Sequence, residues 1–182
     1  MFNKIIVAID YSPNNILVFD TALSLAKNTG ATLMIMYVLA EEEPGYPMIP
    51  SYTYYPILDN YDYNLYKKQL QDYKQRGINF LQEKAKAAKS AGVKTEFSQL
   101  TGNPGWSICE LANNWAADLI VVGSRGLKGL KEMFLGSVSN YVTHHAPCSI
   151  LIVRSGIDSQ TAGTAEAEKT ANQQEFTANQ SP

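Results

Sequence analysis

Apolar runs alternate along the chain with polar, capped segments. Residues 5–9, Ile-Ile-Val-Ala-Ile, form a continuous β-branched-rich run that predicts a central strand over 4–9. Asp10 closes it. Ser12-Pro13 then reads as a capping residue followed by proline at the first helical position. Phe19, Ala22, Leu23 and Ala26 recur at helical spacing and Gly30 follows, so a helix is expected over 13–29. A second apolar strand follows over 32–38. Leu70, Tyr73, Gly77, Phe80, Leu81, Lys84, Ala85 and Ala88 track one stripe of a helix over 65–91 that Gly92 ends. Residues 93–99 alternate as a strand nearer the sheet edge would. Gly102-Asn103-Pro104 repeats the cap-then-proline signal, and Ile108, Leu111, Ala112 and Trp115 supply the next apolar face. A short all-apolar strand over 119–122 is followed by a glycine segment and a helix from about Ser137 to His144. Ala146-Pro147 breaks that helix, and Ser149–Val153 is the last strand.

Strand and helix thus alternate four times before a final strand. That order predicts a parallel α/β sheet with helices on both faces and right-handed crossovers. Two stretches fall outside the pattern. Residues 41–64 begin with three glutamates, carry prolines at 44, 47, 50 and 56, and hold Tyr46, Tyr52, Tyr54, Tyr55, Tyr61 and Tyr63. The prolines exclude a helix or a central strand, and the insertion reads either as a lid or partner-contact arm or as a mobile excursion. Residues 156–182 are polar, with almost no large apolar side chain, and are expected to stay disordered as a tail to a domain over 1–155.

Composition narrows the class. At 182 residues, 45% hydrophobic and 18% charged, the chain can bury one core. A net charge of -2 argues against a nucleic-acid partner. Cys109 and Cys148 show no metal or redox spacing, which fits a reducing compartment. The start, Met-Phe-Asn-Lys, runs straight into a strand, and no apolar run approaches the roughly 20 residues a bilayer needs. A cytoplasmic protein with no membrane contact is expected.

The candidate chemistry lies after the fourth strand. Gly123, Gly126 and Gly136-Ser137 follow the buried run and lead into a helix. Glycines there admit close approach, and a helix start presents free N–H groups to an anion. Spacing alone decides little, since three glycines at one fixed spacing arise in roughly one chain in twenty of this length. Position decides more. An open α/β sheet binds ligands beyond the carboxyl ends of its strands, where the strand order reverses. With the first and fourth strands as central neighbours, Ala8-Ile9-Asp10 and Val122-Gly123 bound that crevice and Val38 forms its side. The result is an apolar slot of Ile9, Val38 and Val122 beside a glycine- and serine-lined anion site.

Ile6-Val7-Ala8-Ile9-Asp10, Gly102 ahead of a capped helix, and Ala117-Asp118-Leu119-Ile120-Val121-Val122-Gly123 occur in order. Gly123-x-x-Gly126, nine residues, Gly136-Ser137 and Ala146-Pro147-Cys148-Ser149-Ile150-Leu151-Ile152-Val153 complete the set. Together these blocks resemble the universal stress protein family over about residues 2–154, apart from the tyrosine-rich insertion. The resemblance implies a doubly wound, Rossmann-like open parallel five-stranded sheet of order 3-2-1-4-5. It implies homodimers through the last strand, Ser149–Val153, and, because the glycine motif is intact, binding of ATP, ADP or AMP. It further implies a nucleotide sensor or switch of the stress response, with weak or absent ATP turnover. Carried over residue by residue, Gly123, Gly126, Gly136, Ser137, Val138 and Ser139 match the phosphate and ribose contacts. Ala8, Ile9, Asp10 and Val38 match the adenine and ribose side, with Val122 at the strand end.

Asp10 has three readings: an acceptor for ribose or base, a holder of phosphate-bound Mg²⁺ through water, or a cap of the first helix. Direct contact of a carboxylate with phosphate would be repulsive, which favours ribose or base. Arg125 and Lys128 sit in the glycine segment as phosphate-screening or solvated cations. His144 and His145 end a helix with no Ser or Cys nucleophile paired to them, and Trp106 and Trp115 read as packing residues. A slow ATPase or phosphotransfer enzyme, and an interaction module with an empty crevice and an unidentified protein partner, remain as alternative classes.

Overall fold

The strands and helices take the predicted order in the computed structural model, which describes residues 2–48, 60–124 and 135–154, with 60–62 described through their backbone alone. β1 (Lys4–Ala8), α1 (Asn15–Thr29), β2 (Thr32–Leu39), α2 (Asn60–Ser90) and β3 (Thr95–Thr101) are followed by α3 (Pro104–Asn114), β4 (Leu119–Gly123), α4 (Ser137–His145) and β5 (Ser149–Val153). The sheet order is β3-β2-β1-β4-β5 and every pairing is parallel. This is the doubly wound architecture expected.

Side-chain alternation along the strands divides the core in two. Ile5, Val7, Leu33, Ile35, Tyr37, Leu39, Leu119 and Val121 face α1 and α2, where Val18, Phe19, Ala22, Leu81, Ala85 and Ala88 meet them. Ile6, Met34, Met36, Val38, Ile120 and Val122 face the other way, against Ile108 and Ala112 of α3 and Val142 of α4. Both faces of β1, β2 and β4 are therefore buried, and each fully buried branched side chain stabilises by about 1.5–3 kcal/mol.

Several boundaries move, each for a local reason. α1 begins at Asn15, not at Pro13: Asp10 Oδ1 accepts the Ser12 amide at 2.9 Å and Asn15 Nδ2 donates to Ser12 O at 2.7 Å. That side-chain turn takes the place of a Ser12 cap. α2 begins at Asn60, so the last five residues of the expected insertion are helical. β3 starts two residues later than expected because the Val93 amide bonds Ala88 O at 3.1 Å, closing α2 past Gly92 instead of joining the ladder. Asn103 caps α3 as expected, its Oδ1 accepting the Trp106 amide at 3.1 Å, with Pro104 at the first helical position. Trp115 packs on the α3–α4 core, whereas Trp106 is 53% exposed and is not the packing residue expected. Gly126, Arg125, Lys128, residues 49–59 of the insertion and the tail over 156–182 lie outside the described residues.

The start of β1 is tied to the start of β4 by one carboxylate. Asp118 Oδ2 accepts the amides of Asn3 and Lys4, each at 2.8 Å, and the Asp118 amide donates to Lys4 O. These backbone donors hold the Asp118 carboxyl below its ordinary value. A depressed folded-state pKa contributes stability above the unfolded value of about 3.9, and that contribution is lost as pH falls through the folded one. Asp118→Asn is therefore expected to lower the midpoint of thermal unfolding at pH 7. The gap from the parent should close as the pH is taken below about 3.9.

Candidate functional site

β1 and β4 lie side by side at the centre of the sheet, and from them the chain runs outward in opposite directions. Their carboxyl ends open into a cleft of about 620 Å³, within the range of small-molecule sites. Ala8, Ile9, Asp10, Val38, Val122, Gly123, Gly136, Ser137, Val138 and Ser139 all line it. Ile9, Val38 and Val122, the apolar slot expected, all line this cleft, but they reach it from different faces of the sheet. Strand alternation sends Ile9 to the α1–α2 core and Val38 and Val122 to the α3–α4 core. The apolar floor under α3 and α4 is Met36, Val38, Ile108 and Val122, with Ala8 beside it.

The anion side is built by the start of α4. Gly136 is the N-cap residue and makes no side-chain cap bond. Its φ of -59° is open to any residue, so glycine here serves close approach and not a left-handed turn. The Gly136 amide is committed to Ser124 O at 2.8 Å, which anchors the return of the chain to the end of β4. The amides of Ser137, Val138 and Ser139 follow. A helix leaves these first N–H groups without an intrahelical acceptor, and they have no other partner among the described residues. The Ser137 side chain is exposed, whereas Ser139 is buried and its hydroxyl donates to Gly123 O. The Ser139 hydroxyl proton is therefore used inside the site, bracing α4 against β4. Ser139 can still serve through its amide.

Asp10 is half-buried at the opposite lip. One carboxylate oxygen holds the Ser12 amide, so the residue caps the turn ahead of α1 and not the helix itself. Its Oδ2 has no partner among the described residues and is the free acceptor there.

Further lining residues carried no motif. Ser12 and Asn15 form the α1 corner, and the Asn15 Oδ1 is buried without a partner among the described residues. Glu42, Glu43 and Pro44, which read in sequence only as the beginning of the insertion, form a side wall. Asn103, Pro104 and Gly105 were legible as a cap but not as the wall opposite Tyr141. The described lining carries three carboxylates, Asp10, Glu42 and Glu43, and no lysine, arginine or histidine. Among the described residues no cluster of His, Cys, Asp and Glu could hold a metal ion alone.

The universal stress protein family model matches residues 1–154, the whole of this architecture and its cleft. The chain belongs to the universal stress protein family. Universal stress protein Sll1388 of Synechocystis is 37% identical over 153 residues, covering 84% of this chain and 98% of that protein. Two solved structures share the fold. The protein MJ0577 superposes with a TM-score of 0.70 at 20% identity, over 87% of this chain and 99% of its own. An Arabidopsis thaliana universal stress protein family protein with AMP bound gives 0.58 at 20% identity, over 86% and 94%.

The wall of the cleft depends on how closely α3 approaches α4. A Cβ at Gly105 would lie 2.8 Å from Tyr141 Cδ1 and 2.9 Å from Tyr141 Cβ, too close for the base of that side chain to yield by rotation. Gly105→Ala should therefore cost about 1–3 kcal/mol in urea unfolding, in the manner of an overpacked core. A change below a few tenths of a kcal/mol would show that the two helices can separate freely.

Proposed function

We propose that this protein binds an adenine nucleotide, ATP, ADP or AMP, and acts as a homodimeric regulatory switch in the stress response. The observation that carries the reading is the run of three unpartnered amides at the start of α4, facing a cleft whose floor is apolar. The amides suit phosphate oxygens, with the positive end of the helix dipole behind them. The floor of Met36, Val38, Ile108 and Val122 suits the faces of a purine. Asp10 Oδ2, between the two, suits the ribose hydroxyls as an acceptor. Membership of a family in which a protein of the same fold carries AMP supports the assignment.

Charge sets the terms of phosphate binding. A triphosphate entering past Asp10, Glu42 and Glu43 meets carboxylates and no cationic side chain among the described lining residues. Mg²⁺ carried in on the phosphates lowers that repulsion, so Mg-ATP should bind more tightly than ATP in chelator. Arg125 and Lys128 of the glycine segment would act in the same sense. The protein is read as a cytoplasmic binder that does not turn ATP over.

Gly136→Val places a branched side chain at the mouth of the anion site. The parent, freshly purified and then denatured, should release an adenine nucleotide identifiable by mass, and the variant should not. Nucleotide added at a hundred times its Kd should stabilise the parent by about 2.7 kcal/mol and leave the variant unmoved. Phosphate release under Mg-ATP should be no greater for the parent than for the variant. Retained affinity in Gly136→Val would remove the phosphate assignment.

The dimer assignment rests on β5. One edge of this strand pairs with β4, and no described strand covers the other. Antiparallel pairing with a second copy would satisfy that edge. Light scattering at micromolar concentration should give twice the chain mass of 20.1 kDa, and a monomeric mass would exclude the arrangement.

A further inference from the structure

Residues 40–46 leave β2 and pass along the cleft as a strap, with Ala40, Glu42, Glu43 and Pro44 in the cleft wall. Two turn bonds shape it: the Glu43 amide donates to Ala40 O and the Tyr46 amide to Glu43 O, each at 3.1 Å. What fastens it is the Glu43 carboxylate. Its Oε2 accepts the Tyr37 hydroxyl at 2.6 Å and the Tyr73 hydroxyl at 2.8 Å. Tyr37 comes from β2 and Tyr73 from α2, so one oxygen joins strap, sheet and helix. The Tyr46 ring sits edge-on to Tyr73 at 5.5 Å, a second point of attachment.

The partners are themselves held. Tyr37 is 1% exposed, boxed by Tyr11 at 5.4 Å and Phe80 at 6.2 Å between ring centres. Tyr11 belongs to the turn between Asp10 and Ser12, so the same ring also backs the opposite lip of the cleft. Gly77, one helical turn after Tyr73, lets α2 come this close. A Cβ there would sit 2.9 Å from Tyr37 Cε1 and collide with the Gln99 carboxamide. Burial and the Glu43 carboxylate push the Tyr37 hydroxyl far above its ordinary pKa, and burial foremost raises that of Tyr73. Both remain donors throughout the physiological range.

We propose that Glu43 is a positioning residue of the cleft. Held by the Tyr37 and Tyr73 hydroxyls, it locks the 40–46 strap in place as a wall and so sets how tightly and how long a ligand is retained. The inference rests on the nucleotide reading for its ligand but not for its mechanics. Tyr73 makes the two separable, because its side chain is not part of the cleft lining. A hydroxyl removed from Tyr73 takes no contact from the ligand itself and acts through the network that holds the strap. Charge-assisted bonds of this type are the stronger class, so loss of one should register.

The test uses the full chain with Tyr73→Phe, Glu43→Gln and, as a control, Tyr63→Phe at an exposed tyrosine outside the network. Fluorescent ATP and AMP analogues provide affinity and dissociation rate, and amide exchange reports the strap directly. Tyr73→Phe and Glu43→Gln should each weaken both ligands by about tenfold, mostly through faster dissociation. Exchange at the Glu43 and Tyr46 amides should quicken in both, and Tyr63→Phe should match the parent. Unchanged affinity, dissociation and exchange in Tyr73→Phe would overturn the proposal. So would a loss confined to Glu43→Gln, which would make Glu43 a direct ligand contact instead. If the parent bound no adenine nucleotide, the proposed function would fall, and the exchange rates alone would decide the strap.

Discussion

Burial of β1 on both faces is the constraint from which the molecule follows. Ile5, Ile6 and Val7 are all fully buried, and β1 pairs in parallel with β2 on one side and β4 on the other. A strand so placed needs helices above and below. Parallel neighbours on both sides need crossovers that lead away in opposite directions, and the right-handed rule sends these to opposite faces. The consequence is geometric. Where the two crossovers part, beyond Ala8 and Gly123, no described helix covers the strand ends, and the cleft is the space left over. The site is thus a by-product of how the core is closed.

Within that space the backbone carries most of the polar chemistry. Gly136 spends its amide on Ser124, and Ser139 spends its hydroxyl on Gly123, so the start of α4 is pinned to the end of β4 from two directions. Pinning these groups is what fixes the three following amides in position. Free amides on a loosely held helix would cost entropy to organise around an anion; here that cost is met in folding. Asp10 shows the same division, with one oxygen binding Ser12 and the other left open.

Much of this was legible in the sequence, and the parts that were not share a cause. Apolar runs and glycine stops marked the central strands and the ends of α1 and α2, because burial on both faces leaves unbroken apolar runs at 5–9 and 119–122 and because chain-terminating turns use Gly30 and Gly92. Gly102, at φ 128°, needed glycine for its conformation, and the adjoining Asn103-Pro104 cap read correctly. The Ser12-Pro13 signal misled because Ser12 enters a turn instead: Asp10 takes its amide and its carbonyl takes the Asn15 amide, and propensity rules see one residue at a time. Ile9 reaches the cleft from the α1–α2 side of the sheet, a detail that the strand ends alone do not specify. Glu43, Tyr37 and Tyr73 were invisible as a group: 30 residues separate Glu43 from Tyr73, and nothing in their local pattern distinguishes them from surface or core positions.

That last group shows how the two halves of the molecule communicate. Tyr37 belongs to the α1–α2 core through its ring, and its hydroxyl bonds Glu43 of the cleft wall, so the packing on one face of the sheet reaches that wall. A phenol fits this position better than an aliphatic side chain or a carboxamide would. Its ring satisfies a buried aromatic box while its single donor must find an acceptor, and the Glu43 carboxylate takes it at 2.6 Å. An acceptor carrying full charge can take a second donor at the same oxygen, which a neutral carbonyl does less well, and Tyr73 supplies it. The strap is therefore held by a contact that ties three elements, strap, strand and helix, at a single oxygen.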